Sequence, residues 1–99
     1  MTIEKNINGN SAELKLNGWL DTQTAPQLEA EIAGLGSEIN ALVLDFSELE
    51  YISSAGLRVL LSAHKVMSAK EGMTVKNVNE IVAEVFEVTG FADILNIER

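Results

Sequence analysis

Two adjacent serines, Ser53 and Ser54, stand in the stretch LDFSELEYISSAGLRVLL, with the small residues Ala55 and Gly56 directly after them. A hydroxyl in such a place could be a nucleophile, a helix cap or a phosphoryl acceptor. Spacing rules against the nucleophile. The serines stand in S-S-A-G and not in G-x-S-x-G. The single histidine, His64, lies about ten residues further on, roughly 15 Å along a helix at the usual rise per residue, and cannot act as base. The chain has no cysteine, which removes a catalytic thiol, a thiolate metal site and a disulfide scaffold together. It has no H-E-x-x-H, no G-x-G-x-x-G and no P-loop. No catalytic residue, no metal site and no cofactor are expected.

The other two readings remain open together. Serine is a preferred N-cap, worth about 1 kcal/mol. A helix N-terminus also presents free N–H groups and a positive partial charge, which favour a phosphate on either serine. Asp21 follows the glycine-containing turn at Gly18 and either faces the same surface or closes an Asx-turn. Asp45 ends an apolar run and is expected to hydrogen-bond the following turn. His64 shares a stripe with Leu57, Leu60, Leu61 and Met67 and reads as a satisfied, partly buried histidine. Trp19, the only tryptophan, belongs in the core or at an exposed contact.

These groups need elements to hold them. The 99 residues suffice for one domain, 1–99. Thr2 to Ile7 and Ala12 to Asn17 alternate around Asn8-Gly9-Asn10, which predicts a half-buried hairpin. Thr24 with Gln27 fits a capping box, Pro26 fits a first turn, and Leu28, Ile32 and Leu35 follow helical spacing up to Gly34 and Gly36. Ala41 to Leu44 is a continuous apolar run, expected as a central strand covered on both faces. A second helix starts at Ser53 or Ser54, carries Lys65 and Lys70 toward its end, and closes at Gly72. Met73, Val75 and Val78 mark a further strand. Asn79 caps a third helix that ends at Gly90, and the segment from Phe91 to Ile97 is left without a form. The order β-β-α-β-α-β-α predicts an α/β fold. Its mixed sheet has an N-terminal antiparallel hairpin, then right-handed βαβ crossovers with flanking helices.

Fifteen acidic against seven basic residues give a net charge of -8. Such a surface repels nucleic acid and anionic membranes, and neither is expected as a partner. Glu29, Glu31, Glu48 and Glu50 read as a solvated surface that could steer a basic partner. The segment MTIEKNING has no apolar signal core, and no apolar run approaches the ~20 residues of a membrane span, so a cytoplasmic protein is expected.

YISSAGLRVLL, preceded by VLDFSEL and by NGWLDTQTAPQLE, resembles the STAS domain, and in particular the free-standing bacterial anti-sigma factor antagonists. The likeness runs from the first hairpin to VFEVTGF and covers nearly the whole chain. It implies a small mixed sheet with flanking helices and a non-enzymatic, partner-switching function. The unmodified protein binds an anti-sigma factor with serine kinase activity, which phosphorylates a serine at a helix start and lets go; a serine phosphatase resets the switch. ATP and magnesium belong to the partner. The motif Asp-Ser-Ser/Thr-Gly-Leu places the acceptor at Ser54 and the glycine at Gly56, and the Asp of a Gly-x-Leu-Asp turn at Asp21. The implied contact patch is Asp21, Thr22, Ser53, Ala55, Gly56 and Leu57 around Ser54, extended by Arg58, with Trp19 leaning toward partner contact. The chain departs from the motif in two places. Ser53 replaces the Asp, which makes it a second candidate acceptor, and Ala55 follows Ser54. The family also implies an alternative: a phosphorylation-independent scaffold or regulatory subunit of a stress-signalling or lipid-transport complex.

Overall fold

The computed structural model describes residues 1–99. In chain order the elements are β1 (Thr2–Asn8), β2 (Ser11–Leu20), α1 (Ala25–Ala33), β3 (Ala41–Ile52), α2 (Ser54–Met67), β4 (Gly72–Lys76), α3 (Glu80–Thr89), a 3-10 turn (Phe91–Asp93) and β5 (Asn96–Glu98). The five strands form one sheet in the order β1-β2-β3-β4-β5. Only β1 and β2 are antiparallel; the other three pairings are parallel.

Register decides which side chains are buried. Ala12, Leu42 and Met73 lie abreast, as do Leu14, Leu44 and Val75, and all six are buried. Leu28 of α1, Leu57, Leu60 and Ala63 of α2, and Val82 and Phe86 of α3 join them in one core. The residues between them point the other way. Glu13, Val43 and Thr74 are only half-buried there, and Lys76 forms an ion pair with Glu13 at 3.0 Å. The apolar run of β3 is therefore central but covered on one face, which corrects the two-sided expectation. Ala41 and Val43 face outward from that run, both half-buried, and two such small apolar side chains are ordinary surface. The hairpin is also less buried than its alternation suggests. β1 is an edge strand, and of its residues only Ile3 is half-buried.

β3 runs on well past Asp45 to Ile52, with Leu49 and Ile52 still buried. Two register shifts against β2, at Lys15/Asn17 and Gly18/Trp19, absorb the extra residues. Asp45, 8 % exposed, lies at the first of them. Its Oδ1 accepts from Ser47 N at 2.9 Å and from Asn77 Nδ2 at 3.0 Å. Burial pushes its pKa up, but the Asn77 and Ser47 hydrogen bonds and the nearby Lys76 charge outweigh that and hold it below its ordinary 3.8. Asn77 adopts a left-handed φ of 60°, a conformation asparagine tolerates.

The helix ends follow the sequence unevenly. Asn79 caps α3 by accepting from Val82 N at 2.8 Å, and Gly90 closes it with φ 82°. α2 instead stops at Met67 with Ser68 as its cap, and Gly72 opens β4. Lys70 Nζ turns away to the carbonyls of Ser37, at 3.3 Å, and Ile39, at 2.9 Å. The unassigned tail becomes the 3-10 turn and β5, whose Ile97 pairs with Val75. No helix is long and apolar enough to cross a membrane.

Candidate functional site

The candidate groups meet where β2 and β3 end and α2 begins. Parallel strands deliver their carboxyl ends to one edge of the sheet, the usual place for a site in α/β folds. Here Ser53 N donates to the Leu20 carbonyl at 2.9 Å, which fastens the start of α2 to the end of β2. Gly56 makes the approach possible. A Cβ built on it would lie 2.7 Å from Leu20 Cγ and 2.9 Å from Ile52 Cγ1, and both of those side chains are fully buried.

The two serines differ sharply. Ser53 holds the N-cap position in extended backbone, but its side chain makes no capping bond. Its Oγ is buried and has no hydrogen-bond partner. Ser54 is the first helical residue and is exposed. The spacing alone left the pair ambiguous, and the structure gives one accessible hydroxyl and one enclosed. Of the residues that follow, Ala55 is half-buried and Arg58 exposed, whereas Gly56 and Leu57 are buried. Gly56 and Leu57 shape the helix start and offer little side-chain surface of their own.

Asp21 takes the Asx-turn. Its Oδ1 accepts from Gln23 N at 3.0 Å and Thr24 N at 3.1 Å. Thr24 Oγ1 accepts from Asp21 N at 2.8 Å and donates to the Trp19 carbonyl at 2.8 Å. The expected Thr24–Gln27 capping box is absent, because Asp21 satisfies the N–H of Thr24 and Gln27 Nε2 reaches the Met1 carbonyl at 3.1 Å. Asp21 remains half-buried and Thr22 exposed. Thr22, Pro26 and Glu29 on one side and Ala55, Arg58 and Ser62 on the other line a cleft of about 320 Å³ between the starts of α1 and α2.

Trp19 is 56 % exposed, which excludes the core reading. It sits opposite Tyr51 of β3, itself 41 % exposed, with ring centroids 5.4 Å apart at 48°. Sequence reasoning missed this pair. Its only signal was register, and two bulges hid that. His64 is half-buried as expected, but Nδ1 is enclosed with no partner, so it is not a satisfied histidine. The arrangement offers an accessible hydroxyl at the start of a 14-residue helix, a cleft beside it and an exposed aromatic pair at the ends of the two strands that lead into the site.

Comparison with known proteins points to one group. The family model described as "Mlab, STAS domain" matches residues 3–96. BtrV of Bordetella bronchiseptica, a protein assigned the role of anti-sigma factor antagonist, is 39 % identical over 84 residues, covering 83 % of this chain and 72 % of its own. The anti-sigma-B factor antagonist of Bacillus subtilis is 24 % identical over 98 residues, covering 98 % of this chain and 90 % of its own. The crystal structure of an anti-sigma factor antagonist from Mycobacterium paratuberculosis superposes with a TM-score of 0.87 at 23 % identity, over 98 % of this chain and 84 % of that one. The Bacillus cell fate determinant SpoIIAA, solved in its phosphorylated form, superposes with a TM-score of 0.75 at 18 % identity, over 97 % of this chain and 90 % of that one.

Proposed function

The chain belongs to the STAS domain family, and from that premise we propose that it is a cytoplasmic anti-sigma factor antagonist switched by phosphorylation of Ser54. In this reading it performs no chemistry of its own. Unmodified, it binds an anti-sigma factor that is also a serine kinase. The kinase moves the γ-phosphoryl group of its ATP to Ser54 Oγ. A new P–O bond forms, the bond to ADP breaks, and the hydroxyl proton passes to a base of the kinase. A serine phosphatase hydrolyses the ester and restores the binding form.

The observation that carries this reading is the contrast between the two hydroxyls: Ser54 is exposed at the first position of α2, and Ser53 Oγ is enclosed. A kinase must reach its acceptor, so Ser54 is the acceptor and Ser53 is not. The contact surface is Asp21, Thr22, Ala55 and Arg58 around Ser54, with Trp19 and Tyr51 beside it. The names of the relatives and the phosphorylated form of SpoIIAA support the partner class and the modification. A phosphate there sits on the positive end of the helix dipole, so α2 stays folded and the partner meets new negative charge. Like charge facing a fitted surface costs several kcal/mol, or orders of magnitude in affinity.

The test captures the anti-sigma factor on the chain from native lysate and assays the isolated complex. Adding ATP and magnesium should load one phosphate and dissolve the complex for the wild type and for Ser53→Ala, but not for Ser54→Ala. Phosphate loading on Ser54→Ala, or a wild-type complex indifferent to ATP, would overturn the reading. One observation favours the phosphorylation-independent regulatory subunit instead: Ser53 stands where the motif carries Asp, which removes an acidic group beside the acceptor. That alternative predicts the same partners for wild type and Ser54→Asp.

A further inference from the structure

We infer that Arg58 is a built-in receptor for the phosphate on Ser54, holding it from one helical turn away. The inference rests on the reading of Ser54 as acceptor and says what happens to the group once it is there. Ser54 and Arg58 stand four residues apart on α2 and both are exposed. Residues at that spacing lie over one another on a helix face. Helical side chains lean toward the N-terminus, so the long Arg58 side chain, which lines the cleft beside Ala55, has the reach to turn back to a phosphate on Ser54. The order of charges is the favourable one, with the anion N-terminal to the cation. A planar guanidinium can also meet two phosphate oxygens at once.

Arg58 is available for this. The chain forms two ion pairs, Lys5–Glu31 and Lys76–Glu13, and Arg58 belongs to neither. The charged group facing it across the cleft from α1 is Glu29, whose carboxylate makes no ion pair with it. Asp21 spends its Oδ1 on the turn before α1. No other lysine or arginine occurs between Lys15 and Lys65, and His64 lies more than a helical turn further on, so Arg58 is the one cation of the contact surface. Phosphorylation then changes two things in the patch with a single event. It adds about two negative charges and it withdraws the only positive one from the partner.

The experiment is a phosphorus NMR titration of the full chain carrying phosphoserine at position 54, installed by semisynthesis so that no kinase is needed. An unperturbed phosphoserine loses its second proton near pH ~6. With Arg58 present the midpoint should fall roughly 0.15–0.4 pH unit below that of Arg58→Gln, and the gap should close at high salt. Arg58→Lys should recover part of the gap, and circular dichroism confirms that each variant is folded. Coincident midpoints for wild type and Arg58→Gln, leaving only the helix dipole at work, would overturn the receptor. A kinase that ignores Ser54 would sink the function proposed above and leave this titration as it is.

Discussion

Replacing Gly56 by alanine puts the geometry of the site to its hardest test. Helix propensity alone says that alanine should stabilise α2, by about 1 kcal/mol at most. Packing says the opposite. The new Cβ would arrive 2.7 Å from Leu20 Cγ and 2.9 Å from Ile52 Cγ1. Leu20 is 0 % and Ile52 2 % exposed, so neither can swing into solvent. Forcing one methyl into such a core costs about 1–3 kcal/mol. The clash should win by about 1–2 kcal/mol, lowering the melting midpoint by roughly 5–10 °C for a domain of this size. The strain has a direction as well as a size. It pushes the start of α2 away from the end of β2, where Ser53 N meets the Leu20 carbonyl. Trp19 adjoins Leu20 and is the only tryptophan, so its fluorescence reports the displacement. Gly72→Ala is the control. At φ 105° with nothing within 4 Å of its Cβ, it loses stability through backbone conformation alone and should leave Trp19 emission unchanged. A Gly56→Ala protein at least as stable as wild type, with unaltered Trp19 emission, would refute the close-approach argument.

Three further outcomes are expected. Ser53→Ala should be neutral or more stable, by up to about 1 kcal/mol in urea unfolding, because it removes a buried hydroxyl with no partner; a loss of about 1 kcal/mol would mean that the hydroxyl caps α2 after all. The lowered pKa of Asp45 stabilises the fold above its unfolded value of 3.8, and that contribution should be lost as pH falls through the folded value. Asp45→Asn should therefore unfold more easily than wild type at neutral pH and converge with it in acid, and a gap that persists undiminished in acid would count against the ionised carboxylate. Trp19→Ala should cost little stability, because the ring is more than half exposed, yet weaken the partner complex by about 1 kcal/mol or more in calorimetry; unchanged affinity would remove the aromatic pair from the contact surface.

The architecture was legible because its signals are local. Asn8-Gly9-Asn10, Asn79 and Gly90 each act within a few residues, and the hairpin and α3 follow them. What escaped depends on partners distant in sequence. Whether Val43 faces solvent is settled by which side of the sheet the helices choose, and no property of Ala41–Leu44 records that. The extension of β3 to Ile52 and the Trp19–Tyr51 pair come from two register shifts, which break the period that sequence reading relies on. Capping around Asp21 and Thr24 differs from the expected box because the Asp21 carboxylate takes the Gln23 and Thr24 N–H groups while the Thr24 hydroxyl turns back to Asp21 N and the Trp19 carbonyl. Within the candidate site, the motif gave positions along the chain but not which side chains reach the surface. Burial separated Ser54 from Ser53, and Arg58 from Gly56 and Leu57.

The hydrogen bond from Ser53 N to the Leu20 carbonyl joins two segments that are far apart along the chain. A short peptide copying residues 53–58 carries Ser54 and Arg58 but neither Asp21 nor Trp19. The surface is thus a property of the folded molecule and has no linear equivalent. A protein that recognises it binds the native state and ignores the unfolded one. By mass action such a partner also acts as a folding ligand, adding about 2.7 kcal/mol of apparent stability at a hundred times its dissociation constant. Release of the partner removes that support, so the free and bound populations of this small domain should differ in their resistance to proteolysis as well as in their company.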